Sequence, residues 1–183
     1  MILKKIFLAC VILVAMSPAY AQKYFTKNGH ISFFSKTILE NISANNEQVI
    51  SVLDIQTGEI QFSLLNNAFH FPKAKMEDDF NEDYMESSKY QKSTFKGKVL
   101  NITNINFGKD GVWEVSVTGN LMIHGVTKNI TARGQITIKD EKIATVASFR
   151  ILLKDYNIKV PSIVSNKISE SIDVTVDCLY QKK

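Results

Sequence analysis

From Val112 the chain alternates apolar and polar residues with a period of two. In "VWEVSVTGNLMI" the residues Trp113, Val115, Val117, Leu121 and Ile123 share one side, and Glu114, Ser116, Thr118 and Asn120 share the other. That is the signature of a strand with one buried and one wetted face. The same alternation runs through Ile130, Ala132, Ile136 and Ile138, then through Ile143, Ala147, Phe149, Ile151 and Leu153, and finally through Ile172, Val174, Val176, Cys178 and Tyr180. Shorter stretches repeat it earlier: Ile31 with Phe33, Val49 to Ile55, Ile60 with Phe62 and Leu64, and Phe95 with Gly97 and Val99. Turn residues such as Thr57-Gly58, Lys109-Asp110-Gly111, His124-Gly125 and Lys139-Asp140 separate these stretches. The pattern predicts roughly eight strands in an antiparallel, all-β arrangement.

One segment breaks the period. In "KMEDDFNEDYMESSKY" Met76, Phe80 and Tyr84 recur every fourth residue among acidic neighbours, which predicts one short amphipathic helix of about three turns. Its carboxylates lack the glycine and the alternate-residue spacing of a calcium loop and read as a solvated face. Long antiparallel strands leave edges that invite association, and closure into a barrel removes them. The expected fold is therefore an eight-stranded antiparallel barrel, with the helix covering one end or packed on its wall.

Glycine falls where a buried side chain is expected. Gly97, Gly119, Ala132, Gly134 and Ala147 share the inward face with Phe62, Phe95, Trp113 and Phe149. Two explanations stand level. Glycines let barrel strands bend sharply, or the missing side chains leave a volume that aromatic walls enclose, since eight strands make an interior just wide enough to be filled or to hold one small ligand. On the second, leucine at Gly119 or Gly134 should block the lumen and spare the barrel.

The first 21 residues stand apart from this pattern. Lys4 and Lys5, an apolar run from Ile6 to Met16 and the small-residue site Ala19-Tyr20-Ala21 read as a cleavable secretory leader. The run is too short for a bilayer span of roughly 20 residues. The mature domain is then 22–183, with export to the periplasm or beyond and no stable membrane insertion. Losing Lys4 and Lys5 lowers the net charge from +4 to +2, with 20 basic against 18 acidic residues scattered along the chain, which argues against a nucleic-acid footprint. Cys178 is the single cysteine left in the mature chain, so no internal disulfide forms and a buried, inert thiol is expected.

Catalytic material is thin. His30, His70 and His124 lie far apart, with no metal-ligand spacing and no GxSxG context for any serine. No enzymatic activity, cofactor or metal is expected. Arg133 and Arg150 fall opposite the apolar faces of their strands and should point to solvent. His124, Asp155 and Tyr156 lie at strand ends, where a barrel mouth would be. They are candidates for contact with a ligand head group, with turn capping the equal alternative for Asp155 and Tyr156 and a satisfied turn histidine the simpler account of His124.

The segments "DYMESSKYQKSTFKGKV", "GVWEVSVTGNLMIHGVTKNITARG" and "ASFRILLKDYNIKVP" together resemble the YceI-like family of secreted bacterial proteins. The likeness rests on Tyr84, Lys89, Tyr90, Thr94 and Phe95, then on Gly119, Leu121, Ile123, Gly125, Val126, Thr127 and Lys128, and extends over nearly the whole mature chain. It implies a lipocalin-like barrel whose apolar lumen holds an isoprenoid, an isoprenoid quinone or a similar lipid for transport or storage. The lumen lining would be Phe33, Phe62, Phe95, Gly97, Trp113, Val115, Val117, Gly119, Leu121, Ala132, Gly134, Ile136, Ala147, Phe149 and Ile151. Trp113, Phe95, Phe62 and Phe149 would set its depth. A homodimer is compatible with this reading. The competing expectation is a barrel with a filled core that serves a structural or protein-interaction role.

Overall fold

The computed structural model describes residues 23–182; the expected leader, Met1 to Ala21, lies outside them. Eight strands follow in order: β1 Lys23–Lys36, β2 Asn41–Asp54, β3 Glu59–Leu65, β4 Lys92–Val99, β5 Gly111–Ile123, β6 Val126–Lys139, β7 Lys142–Leu152 and β8 Ser171–Lys182. Each pairs antiparallel with its sequence neighbour, and β1 also pairs with β8, so the sheet closes into a barrel without an open edge. The expected all-β barrel is what forms, because every strand offers one apolar face and closure buries all eight together.

The turns match their residues. His124 and Gly125 form the two-residue link from β5 to β6 with φ of 50° and 74°, the left-handed pair that suits the twist of a hairpin. Asp140 and Glu141 do the same between β6 and β7, at φ 50° and 62°.

The two ends of the barrel differ. The long connections, 66–91 and 153–170, lie together at the end where β1, β3, β5 and β7 finish. The opposite end is packed solid. Leu53, Val49, Val99, Ile136, Ile143, Cys178 and Tyr180 are fully buried there, with Ile102 and Ile105 of the β4–β5 connection buried beside them. Ser51 Oγ donates to the Gln61 carbonyl at 2.9 Å and meets the Tyr180 hydroxyl at 2.7 Å, so a short polar chain ties β2, β3 and β8 inside the apolar end. Burial pushes the Cys178 thiol up to about 12, which leaves it protonated and inert, as expected of a structural cysteine.

The helix, α1 (Ala74–Asp79), continues directly into a π-helical turn at Phe80–Tyr84, with Met85 N–H bonded to the Phe80 carbonyl at 2.8 Å. A four-residue repeat drifts by about 40° per step on an ideal α-helix. The wider π-turn offsets that drift and keeps Met76, Phe80 and Tyr84 on the same inward side.

The inward glycines have a third explanation besides bending and vacancy. Gly97 and Gly119 face each other across β4 and β5. A Cβ on Gly119 would lie 2.4 Å from the Lys96 carbonyl oxygen and from Gly97 Cα, and one on Gly97 would lie 2.4 Å from the Thr118 carbonyl oxygen. Both would also meet the tip of the Phe95 ring, at 2.5 Å from Gly97 and 2.7 Å from Gly119. The space that their side chains would take is occupied by Phe95. At Gly134 a Cβ would sit 2.5 Å from the Val146 carbonyl oxygen. The expectation that leucine at Gly119 or Gly134 spares the barrel is therefore wrong: the first atom added strikes the backbone of the neighbouring strand.

Gly119→Ala should destabilise the protein by about 3 kcal/mol, at the upper end for overpacking, which for a domain of this size lowers Tm by about 6–12 °C. Gly108→Ala, where the new Cβ meets only Asn106 Oδ1 at 3.4 Å, should leave Tm unchanged. Thermal unfolding followed by circular dichroism measures both.

Candidate functional site

At the end that carries the long connections the barrel is hollow. A cavity of about 480 Å³ is lined by Ile31 and Phe33 of β1, Ile42 of β2, Leu64 of β3, Leu121 and Ile123 of β5, Phe149 and Ile151 of β7, and Ile172 and Val174 of β8. Met76, Phe80 and Tyr84 close it from the helix side, and Leu153, Ile158, Val164 and Ile168 from the connection before β8. Its size lies in the ordinary range for small-ligand pockets. The helix therefore covers one end of the barrel, the first of its two expected placements.

Phe80 fixes that cover. Its ring stacks on Phe33 at 5.6 Å and meets Phe69 at 5.5 Å and Phe71 at 5.1 Å. Each aromatic pair contributes about 0.5–1.5 kcal/mol beyond its buried area, enough for one side chain to hold the helix across the opening. Glu77 Oε2 accepts from the Phe71 backbone N–H at 3.1 Å and fastens the first turn of the helix to the strand-like segment before it.

Of the polar residues that line the chamber, Ser35, Asn66 and Ser93 are paired within, and the charged ones stand at the rim. Inside, Asn66 donates to the Tyr90 carbonyl at 2.6 Å and accepts from Ser93 Oγ at 2.7 Å, and Ser35 Oγ accepts from the Ser169 N–H at 2.9 Å. At the rim Lys73 pairs with Glu40 at 3.2 Å and Lys75 pairs with Asp79. Lys167 also lines the rim, without an ion pair among the described residues. A guest in this chamber finds apolar walls within and charge only at the entrance.

A second chamber of about 100 Å³ lies deeper, lined by Phe62, Phe95, Val115, Val117, Ala132, Ile136, Ala147 and Val176 among others. Ile31, Leu64, Ser93, Leu121 and Phe149 line both chambers and form the neck between them.

The residues expected to line the lumen thus divide by depth. Phe33 and Ile151 face the outer chamber, Leu121 and Phe149 both, and Phe62, Phe95, Val115, Val117, Ala132, Ile136 and Ala147 the inner one. Gly97, Gly119 and Gly134 face inward but line neither, because Phe95 and the neighbouring strands occupy their space. Trp113 lines neither as well. Its ring lies over Gly111, whose Cβ would be 2.7 Å from Trp113 Cη2, at the start of β5 and thus toward the packed end, so it does not set the depth of the hollow part. Arg133 and Arg150 point outward, Arg150 pairing with Asp173 at 2.6 Å.

The three head-group candidates do not reach the cavity. His124 is held by Glu86 Oε2 at 2.8 Å and the Tyr156 carbonyl at 3.1 Å, with the Tyr90 ring 4.2 Å away. The role of His124 is to clamp the β5–β6 turn to the segment that follows the helix. Asp155 is exposed, whereas Tyr156 is buried with its hydroxyl lacking a partner. The side chains part rather than converge, and no group of three or more histidine, cysteine or acidic residues among the described residues is placed to hold a metal.

The parts of the site that strand alternation does not reveal are Phe69, Phe71 and the connection from Leu153 to Ile168. Phe69 and Phe71 carry a two-residue period too short to stand out, and the connection has none. The helix triplet Met76, Phe80 and Tyr84 was visible as an apolar stripe, and only the fold shows that the stripe faces a cavity.

Because the Tyr156 hydroxyl is buried without a partner, Tyr156→Phe removes an unmet polar group. It should raise stability by about 1 kcal/mol, and ligand occupancy should stay at the wild-type level. Denaturant unfolding and a binding assay on the same preparation check the two halves.

Comparison with known proteins places this architecture. No curated protein sequence matches the chain. Among solved structures, a polyisoprenoid binding domain from Saccharophagus degradans superposes with a TM-score of 0.77 at 15% identity, covering 89% of this chain and 99% of its own. BcnA of Burkholderia cenocepacia superposes with 0.69 at 14% identity, covering 84% and 96%, and a Campylobacter jejuni YceI protein with 0.60 at 17% identity, covering 76% and 84%. At such identities these likenesses establish the fold. A family model described as the YceI-like domain matches residues 21–179, and on that match the chain belongs to the YceI-like family.

Proposed function

We propose that this protein is an exported binding protein that holds an apolar, chain-like molecule, an isoprenoid, an isoprenoid quinone or a similar lipid, in the barrel lumen for transport or storage. The observation that carries the reading is the outer chamber, about 480 Å³ of apolar space whose charged groups stand only at the rim. That the similar Saccharophagus degradans structure is a polyisoprenoid binding domain supports it, and the leader-like first 21 residues support export.

Binding would draw on burial. At about 25 cal/mol per Å² of apolar area withdrawn from water, a chain of several isoprene units gains many kcal/mol before the entropy of association is subtracted. The polar head would remain at the entrance near Lys73, Lys75 and Lys167. A non-enzymatic role fits the divergent side chains of His124, Asp155 and Tyr156, and the hollow end favours this reading over a filled structural barrel.

Mature protein purified without detergent from a bacterial periplasm, extracted with organic solvent and analysed by mass spectrometry, should yield a stoichiometric apolar species that an unrelated secreted barrel lacks. Folded protein that repeatedly yields none would overturn the proposal.

A further inference from the structure

The two most exposed large apolar residues among the described ones stand at the hollow end. Ile38 is fully exposed and Ile163 keeps 85% of its surface free, with Leu39 beside Ile38 at 62%. Ile38 and Leu39 are the middle residues of the turn from β1 to β2. That turn is closed by its own hydrogen bonds: the Thr37 N–H and Oγ1 donate to the Glu40 carbonyl at 3.1 and 2.9 Å, and the Glu40 N–H donates to Thr37 Oγ1 at 3.0 Å. Ile163 lies in a single 3₁₀ turn, Ser162–Val164, of the connection before β8. Val164, Lys167 and Ile168 next to it line the outer chamber, as do Ser35, Glu40 and Ile42 around the first tip. The Ser169 N–H on Ser35 Oγ at 2.9 Å ties the two segments together, so both tips stand on one side of the same opening.

Charge divides that opening. Lys36, Lys159 and Lys167 flank the tips, exposed and without an ion pair among the described residues. Of the carboxylates in these two segments, Glu40 is paired with Lys73 and Glu170 stands alone against the three lysines. The acidic residues of the helix gather elsewhere. The helix starts beside the first tip, where Lys73 meets Glu40, and runs to the β5–β6 turn, where Glu86 holds His124. Glu82, Asp83 and Glu86 therefore lie toward the far side of the opening.

Resting on the carrier reading, we propose that Ile38, Leu39 and Ile163 dip into a phospholipid bilayer, with Lys36, Lys159 and Lys167 at the level of its phosphates, and that the lumen exchanges its guest with the bilayer through the opening beside them. Protein interfaces bury their anchors in well-packed, shape-matched pockets. Aliphatic side chains alone on two convex tips suit a fluid bilayer instead, which needs no shape complementary to them. Lysine keeps its ammonium in the head-group layer while its stem follows the apolar residues inward. An anionic surface attracts the lysine side and repels the acidic far side, so it also orients the barrel. The three tip residues carry about twelve side-chain carbons, close to one acyl chain, which gives marginal and reversible binding. A docked barrel passes an apolar chain between hydrocarbon and lumen without drawing it through water.

The test floats residues 22–183 on a density gradient with protein-free vesicles of phosphatidylcholine and phosphatidylglycerol. The protein should rise with the vesicles, and Ile38→Ser and Ile163→Ser should each lower its partitioning about tenfold. Leu100→Ser, which removes a side chain 59% exposed in the β4–β5 connection at the packed end, should leave partitioning unchanged. Lys36→Glu combined with Lys159→Glu should abolish the gain that phosphatidylglycerol gives over phosphatidylcholine alone. Uptake of a tritiated isoprenoid alcohol from the vesicles should slow in step with lost partitioning. Wild type that does not float, flotation unmoved by the tip substitutions, or uptake that keeps its rate when flotation is lost overturns the proposal, even where organic extracts of the protein hold an apolar ligand. A solution dimer that the same substitutions dissociate, in protein that does not float, assigns the tips to a second copy of the chain and overturns it too. Flotation that obeys the substitutions, in protein whose extracts hold no ligand and which takes up no alcohol, supports the docking surface and overturns the carrier reading.

Discussion

A sheet of eight strands closed on itself has almost no freedom in its radius, so the sizes of its inward side chains decide where the barrel is solid and where it is hollow. In this chain that decision changes along the axis. One end is filled by Leu53, Val49, Val99, Ile136, Ile143 and Tyr180, and the other is left open over about 480 Å³. The β1–β8 pairing that completes the ring is the contact on which this depends. Without it the inner faces would have no common interior, and the helix would have no mouth to cover.

The filled end and the hollow end support each other. Packing at the closed end supplies the stability that a hollow lumen forgoes, since space without partner atoms loses their dispersion contacts outright. Gly97, Gly119 and Gly134 lie where backbones approach too closely for any side chain. The same close approach at Gly97 and Gly119 gives Phe95 its seat. Strand approach and ring placement are thus one structural feature of the β4–β5 wall.

Much of this was legible in the sequence, and the limits follow from what periodicity records. Alternation reports which side of a strand a residue faces, so the eight strands, the inward set from Val115 to Leu121 and the outward Arg133 and Arg150 could be read directly. It does not report depth along the barrel. Hence Trp113 and Phe149 looked equivalent, although one lies over Gly111 toward the packed end and the other lines both chambers. Nor does it record what fills a missing side chain's place, because the ring over Gly119 comes from the strand beside it. His124, Asp155 and Tyr156 lie just past strand ends as read, but the groups that hold His124, Glu86 and the Tyr156 carbonyl, belong to long connections that carry no period.

The central claim is that the hollow end of the barrel is the binding site for an apolar chain. A crystal structure of residues 22–183, purified without detergent from a bacterial periplasm, tests it most directly. The expected result is continuous elongated density inside the outer chamber, running from the rim near Lys167 past Phe33 and Phe149. A chamber collapsed onto its own side chains, or a guest bound only outside the barrel, would contradict it.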